Sequence, residues 1–227
     1  MALKYFVMKF FYRLYRKIGL IFKLNFTGFY QSLFFENEGK DESIRFDYKL
    51  SKGDIIFDLG AFKGEFSEKV YSESSRFYLF DTNPKMVKYL NNKFEGKKNV
   101  SVHPFGLGER DTHGSTRLPI FPWASAGASY EENKNEKLIV KDFIKFCEEY
   151  KINEIEVLKI NIEGAEYNLM KYLYKNKFLK NINHIQIQPH DFDNESLNNL
   201  LELHRNLHKT HKLKLSYPFV WDFWERK

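Results

Sequence analysis

The sequence has a single cysteine, Cys147, so it can form no intrachain disulfide and no cysteine-ligated metal cluster. A reducing, cytoplasmic setting is the simplest fit to that shortage. No Gly/Ser-rich or Pro-rich stretch divides the 227 residues, which predicts one domain with appendages. Uninterrupted apolar runs of bilayer-spanning length are also missing, as is a small-residue cleavage site after one, which argues against both an anchor and a signal peptide. What is abundant is apolar and aromatic surface, 43% and 18% of residues, enough for burial to offset the entropy of ordering. The net charge of +6 suits an anionic partner, but the lysines are spread along the whole chain, so nucleic acid is the disfavoured choice.

The first segment differs from the rest. In "MALKYFVMKFFYRLYRKIGLIFKL", a helical wheel at about 100° per residue gathers Lys9, Arg13, Arg16 and Lys17 opposite Val7, Phe11, Leu14, Ile18 and Ile21. Residues 1–27 therefore read as a basic amphipathic helix, ahead of a domain at 28–227. Such a helix suits the face of an anionic membrane or a partner, which would place the protein peripherally at an inner membrane face; it equally suits packing on its own domain.

Beyond it, strand and helix alternate. "DIIFDLGAFKGEF" (54–66) is an apolar run ending in an acid, with Gly60 and Gly64 bracketing a turn before a polar-periodic segment: strand, tight turn, helix. The turn sets helix-start N–H groups beside a buried strand end, a place for an anionic or polar ligand group or simply an ordinary tight turn. It is not a phosphate loop, because Glu65 and Phe66 follow Gly64, and not a dinucleotide fingerprint, because Phe62 stands where a second glycine would be. Further strands are expected at 76–81, 99–108, 154–162 and 184–189, with strand-like alternation at 212–224. Helices are expected at 83–94, 140–150, 165–176 and 195–208, and an irregular stretch at 109–137. The alternation predicts an α/β fold, a doubly wound, mostly parallel sheet with helices on both faces.

In that architecture ligands bind beyond the carboxyl ends of the strands. The expected ends, at Asp58, Asp81, Gly106 with Leu107, Asn161 with Glu163, and Gln188 with His190, should then line one edge. Asp81 stands about twenty residues past the glycine turn, where a carboxylate accepts the hydroxyls of a ribose. A nucleoside ligand is one reading, and an acid capping the helix through Asn83-Pro84 is the other.

"FDLGAFKGEF", "FDTNP" and above all "VLKINIEGAEYNLMKYL" resemble the FkbM-type S-adenosylmethionine-dependent methyltransferases over about residues 50–190. The resemblance implies the Rossmann-like class I methyltransferase fold and O-methylation, commonly of sugar hydroxyls in glycans or glycosylated natural products. It places Gly60, Ala61 and Gly64 at the methionine end of the cofactor, Asp81 at the ribose and the stretch around Leu107 beside adenine, with Asp58, Thr82 and Asn161 also expected among the cofactor-binding residues and Asn161 among the catalytic ones. Phe62 replaces a frequent asparagine, Asp81-Thr82 replaces Glu-Pro, and Asn161 stands where the family usually has aspartate. An amide cannot accept a proton at neutral pH.

Methylation of a hydroxyl needs alignment and the removal of one proton. Glu163 and His190 are the candidate bases, with a helix-capping carboxylate and a surface histidine as their plainer readings. Lys159, inside a strand, is expected to snorkel or to pair with an acid. His204, His208 and His211 share a helical spacing but lack a completing acid or cysteine, so a solvated face is expected and no metal. Cys147 reads as a small buried residue. The aromatic end "SYPFVWDFWERK" fits a sugar-stacking wall or core. The acceptor expected is a sugar, glycan or glycosylated small molecule; a non-catalytic binding member of the family and an RNA methyltransferase are the alternatives.

Overall fold

The structure, a computed structural model, describes residues 42–114, 138–191 and 195–227. The segment expected to form the basic amphipathic helix lies outside them, as does most of the irregular stretch. Ten strands and five α-helices are described: β1 Ile55–Leu59, α1 Glu65–Lys69, β2 Arg76–Phe80, α2 Pro84–Lys93, β3 Val100–His103, β4 Gly106–Gly108, β5 Thr112–Gly114, β6 Leu138–Asp142, α3 Phe143–Glu149, β7 Ile155–Ile160, α4 Glu166–Lys175, β8 Ile182–Ile187, α5 Ser196–Leu207, β9 His211–Tyr217 and β10 Trp221–Arg226.

Seven strands form the main sheet in the order β3-β2-β1-β7-β8-β10-β9. The pairs from β3 through β8 are parallel, and β10 runs antiparallel to both β8 and β9. The chain leaves β1 toward β2 and β3 on one side and returns to β7 and β8 on the other. The order therefore reverses between β1 and β7, which opens a crevice at their carboxyl ends.

Because side chains alternate across a strand, each buried strand feeds two cores. Phe57, Leu59, Phe80, Leu158, Ile160 and Ile187 face the layer of α3, α4 and α5, meeting Phe143, Phe146, Leu169, Leu173 and Leu200. Ile56, Phe77, Leu79 and Val157 face the other way, onto Phe66 of α1 and Leu90 and Phe94 at α2. The doubly wound expectation is met.

Three boundaries differ from the sequence reading. The strand expected at 99–108 breaks at Pro104, and β4 leaves the main sheet to pair with β6 in a small sheet of order β4-β6-β5. Helix α3 begins only at Phe143, since Asp142 caps it by accepting the N–H groups of Ile144 and Lys145, and the residues before it are strand. The aromatic end is a hairpin, turning at Pro218–Val220. Phe219, Val220, Trp221, Phe223 and Trp224 are all buried, which favours core over an open sugar-stacking wall.

Candidate active site

Leu59 pairs with Phe80 and with Ile160, and Ile160 pairs with Ile187, so the residues just past them emerge on one edge. Backbone bonds carry the ladder one step further: Gly60 N–H donates to Phe80 (3.0 Å), Asn161 N–H to Leu59 (3.0 Å) and Gln188 N–H to Ile160 (2.9 Å).

The glycine turn is left-handed at Gly60, Phe62 and Gly64, with φ of 73°, 50° and 68°. A Cβ at Gly60 would lie 1.9 Å from the carbonyl oxygen of Asn161, so only glycine lets the ends of β1 and β7 close up. Four of its N–H groups are bonded within the protein. Those of Gly60 and Ala61 both reach the Phe80 carbonyl, that of Gly64 returns to Ala61, and that of Phe62 donates to Asp81 Oδ2 at 2.8 Å. The five-residue α1 carries Glu65 and Glu68 in its first turn, so the charge beside the glycine turn is acidic. Ala61 is itself buried against the second core.

Beneath the turn lies a buried ion pair. Lys159 Nζ sits 2.8 Å from Asp58 Oδ1 and donates to the Gly60 carbonyl at 2.8 Å, while Ser67 Oγ donates to Asp58 Oδ2 at 2.8 Å. Asp58 has no exposed surface, which corrects the expectation that it meets a cofactor directly. It holds Lys159, and Lys159 holds the turn. Of the two fates expected for that lysine, the structure takes the pairing with an acid.

Asp81 accepts from Phe62 N–H and Asn83 N–H, both at 2.8 Å, and so links the turn to the start of α2. The cap of that helix is Asn83, whose side chain accepts from Lys85 N–H, so Asp81 is not the capping acid. Burial raises the Asp81 carboxyl above the usual carboxylate range, and these two N–H groups with Lys159 oppose the rise. Thr82 meets β4 at Gly106, where a Cβ would lie 3.4 Å from Thr82 Cγ2. Leu107 is packed in the main core, so Gly106 is the residue of that stretch that borders the Asp81 loop.

At the other side of the crevice, Glu163 and Gly164 take φ of 51° and 100°, a tight loop between β7 and α4. His190 follows β8 and brings its Nε2 3.4 Å from Glu163 Oε2 and its Nδ1 2.9 Å from Glu166 Oε1. The two candidate bases are thus neighbours, and Glu163 is no helix cap: the N-cap of α4 is Ala165. His190 is no surface histidine, since its side chain is 12% exposed. Burial works against the imidazolium, yet the hydrogen bond and charge of Glu166, with the charge of Glu163, raise the histidine above its usual value. Sequence reasoning gave Glu166 no role, because a carboxylate in the first turn of a helix reads as ordinary dipole compensation.

The remaining candidates fall away from this edge. His204 is buried 2.6 Å from Asp222, and His211 is buried with Nε2 3.0 Å from the Ile182 carbonyl, which corrects the solvated face expected for them. Among the described residues no His/Cys/Asp/Glu group of metal-binding geometry occurs. Cys147 is buried, and burial pushes its thiol up to about 12.

The Methyltransferase FkbM domain family matches residues 58–212, more than half the chain and all of the edge just described. The chain belongs to that family. Membership makes it a methyltransferase that uses S-adenosylmethionine, with the doubly wound sheet of class I methyltransferases. Among solved structures it is similar to the methyltransferase FkbM from Methylobacillus flagellatus KT, at 13% identity and a TM-score of 0.52, over 78% of this chain and 45% of that one. The chain thus spans less than half the length of that relative. It is also similar to a provisionally named rRNA-methylase from Clostridium thermocellum, at 12% identity and a TM-score of 0.50, over 84% of this chain and 94% of that one. At such identities these two likenesses show the fold alone. No curated protein matches the sequence.

The residues present fit the cofactor. Gly60 leaves room for close approach, the Asp81 carboxylate stands beside the turn, and Asn161 Oδ1 is buried without a hydrogen-bond partner among the described residues, an acceptor suited to an ammonium or hydroxyl donor.

Proposed function

We propose that the chain methylates a hydroxyl oxygen of a sugar, glycan or glycosylated small molecule. Bound S-adenosylmethionine supplies a methyl group already activated by its positive sulfur. Asp81 would hold the ribose, Gly60 and Asn161 the methionine end, and Gly106 with Thr82 would border the base. What the protein must add is alignment and a proton acceptor.

The observation that carries this reading is the His190–Glu163 pair, with Nε2 and Oε2 3.4 Å apart on the cofactor edge. A proton on Nε2 would bridge that contact, and with Nδ1 also donating to Glu166 the ring that carries it is an imidazolium. Loss of that proton leaves Nε2 with a lone pair at the edge. Nε2 would take the proton of a hydroxyl entering there as the methyl group passes to the hydroxyl oxygen and its bond to the cofactor's sulfur breaks, leaving a neutral thioether, and Glu163 would stabilise the imidazolium that results. The same edge carries Asp81, Glu163 and Glu166, whose negative charge suits a neutral polyhydroxyl acceptor better than a polyphosphate. Asn161 takes no proton and serves as a hydrogen-bonding group.

The test is methyl transfer from labelled S-adenosylmethionine to a panel of sugars, lipid-linked oligosaccharides and RNA, with His190→Asn beside the wild type. General-base catalysis contributes about 10²–10⁴-fold, and a loss of that size in His190→Asn with sugar acceptors is the expected result. Transfer to RNA alone, or cofactor binding with no transfer to any acceptor, would contradict the reading in favour of the RNA-modifying or the non-catalytic alternative. The basic segment at 1–27 would bring this site to an anionic membrane carrying the acceptor; binding of the full chain to vesicles of anionic lipid, lost on its deletion, tests that part. No helix among the described residues is long and apolar enough to cross a membrane.

A further inference from the structure

We propose that Glu166 is the positioning residue of this site: a buried carboxylate that fixes the tautomer of His190 and, through Gly164, the backbone beside Glu163. The inference rests on the reading of His190 as the proton acceptor and assigns the group that prepares it.

Glu166 has no exposed surface, and an ionised carboxylate in such a place is costly unless its oxygens are fully engaged. They are engaged across two separate loops. Oε1 accepts the backbone N–H of His190 at 2.8 Å and lies 2.9 Å from its Nδ1, and Oε2 accepts the N–H of Gly164 at 2.7 Å. A carboxylate that only stabilised the start of α4 would need no bond to the end of β8. This one ties the loop after β7 to the loop after β8.

The chemistry follows from what each atom can do. An ionised carboxylate only accepts, so Nδ1 must carry the hydrogen. In the neutral imidazole Nε2 then holds the lone pair, and Nε2 is the nitrogen on the Glu163 side. The opposite tautomer would set a lone pair of Nδ1 against Oε1 and leave Nε2 unable to take a proton. The backbone of His190 is held as well, since Tyr167 Oη donates to its carbonyl at 2.8 Å.

The same carboxylate acts on Glu163. Glu163 and Gly164 are both left-handed, a conformation costly for the glutamate. The bond from Gly164 N–H to Oε2 holds this loop closed one residue from Glu163. Among the described residues, the charges that act on the imidazole are those of Glu166 from α4 and Glu163 from the loop after β7. Removing the charge of Glu166 should therefore change both the proton affinity of His190 and the nitrogen on which its proton resides.

The experiment is ¹⁵N NMR of the histidine ring nitrogens in the full chain across pH, with His190 assigned by its absence in His190→Asn. S-adenosylhomocysteine affinity is measured in parallel. In the wild type, neutral His190 is expected as the Nδ1–H tautomer and titrates above the usual histidine value. In Glu166→Gln the titration should fall by about one pH unit or more and both tautomers should appear, with S-adenosylhomocysteine affinity kept within about threefold. Where transfer can be followed, the acid limb of kcat should move down by the same amount while KM for the donor holds, a change that simple loss of stability does not produce. An Nε2–H tautomer in the wild type would overturn the proposal even if Glu166→Gln failed to fold, and so would a titration unchanged in a folded Glu166→Gln. Loss of the proposed function looks different: the tautomer and its dependence on Glu166 would be as expected, with no methyl transfer to any hydroxyl.

Discussion

Asp58 and Lys159 stand side by side on β1 and β7, and Lys159 Nζ lies 2.8 Å from Asp58 Oδ1 at the very point where the strand order reverses. The pair is buried on both sides and its cation also holds the Gly60 carbonyl, so the floor of the crevice and the shape of the glycine turn depend on one lysine.

Lys159→Met removes the cation and leaves a buried carboxylate whose one remaining side-chain partner among the described residues is Ser67. Breaking a buried pair in this way costs about 3–5 kcal/mol, and the urea midpoint should fall accordingly. Adding Asp58→Asn removes the stranded charge and should recover part of the loss. A Lys159→Met variant as stable as the wild type would show that the pair contributes nothing to the fold.

Gly60→Ala puts a methyl group 1.9 Å from the Asn161 carbonyl at a left-handed position. The strain and the displaced backbone should together cost about 2–4 kcal/mol, read as a drop in Tm, with cofactor binding lost in whatever remains folded. Gly53→Ala is the control: its φ is 91° but nothing lies within 4 Å of the added carbon, so about 1 kcal/mol and normal binding are expected.

The His190 proton also sets a pH dependence of stability. Because the folded-state value lies above the unfolded one, folding binds the proton more tightly, and the contribution is fully present below the usual histidine range. It is lost as pH rises through the raised folded value. Unfolding free energies from urea titrations between about pH 5.5 and pH 9 should decline across that window in the wild type and decline less in His190→Asn.

Cys147 is 1% exposed and its thiol is pushed up to about 12, so the native protein should resist a thiol-alkylating reagent at neutral pH. Labelling should proceed only as fast as the chain opens, and it should become fast in denaturant. Rapid labelling of the native state would show that α3 is loosely packed.

Much of this was legible in the sequence, for reasons that can be named. The β-branched run before Gly60 and the two glycines mark strand and turn locally, and the alternation of strand with helix dictates which edge the turn shares with Asp81, Asn161 and His190. The readings of 99–108 and 212–224 as unbroken strand pass over Pro104 and Pro218, and even a proline says only that a strand stops, not that its continuation joins another sheet or turns back on itself. What the sequence could not show is partnership across elements. Asp58 meets Lys159 only because β1 and β7 are neighbours in register, and Glu166 meets His190 only because α4 starts beneath the end of β8. Both acids read as local features, a strand-end ligand group and a helix-start charge, until the sheet order assigns them their partners.

The central claim is that the edge built by Gly60, Asp81 and Asn161 holds S-adenosylmethionine. The direct measurement is calorimetric titration of S-adenosylmethionine and S-adenosylhomocysteine into the full chain and into Asp81→Ala, with thermal melts to show that both are folded. Micromolar binding by the wild type is predicted, weakened about 10- to 150-fold by loss of a charged hydrogen-bonding group worth about 1.5–3 kcal/mol. No binding to the folded wild type at millimolar ligand would contradict the account.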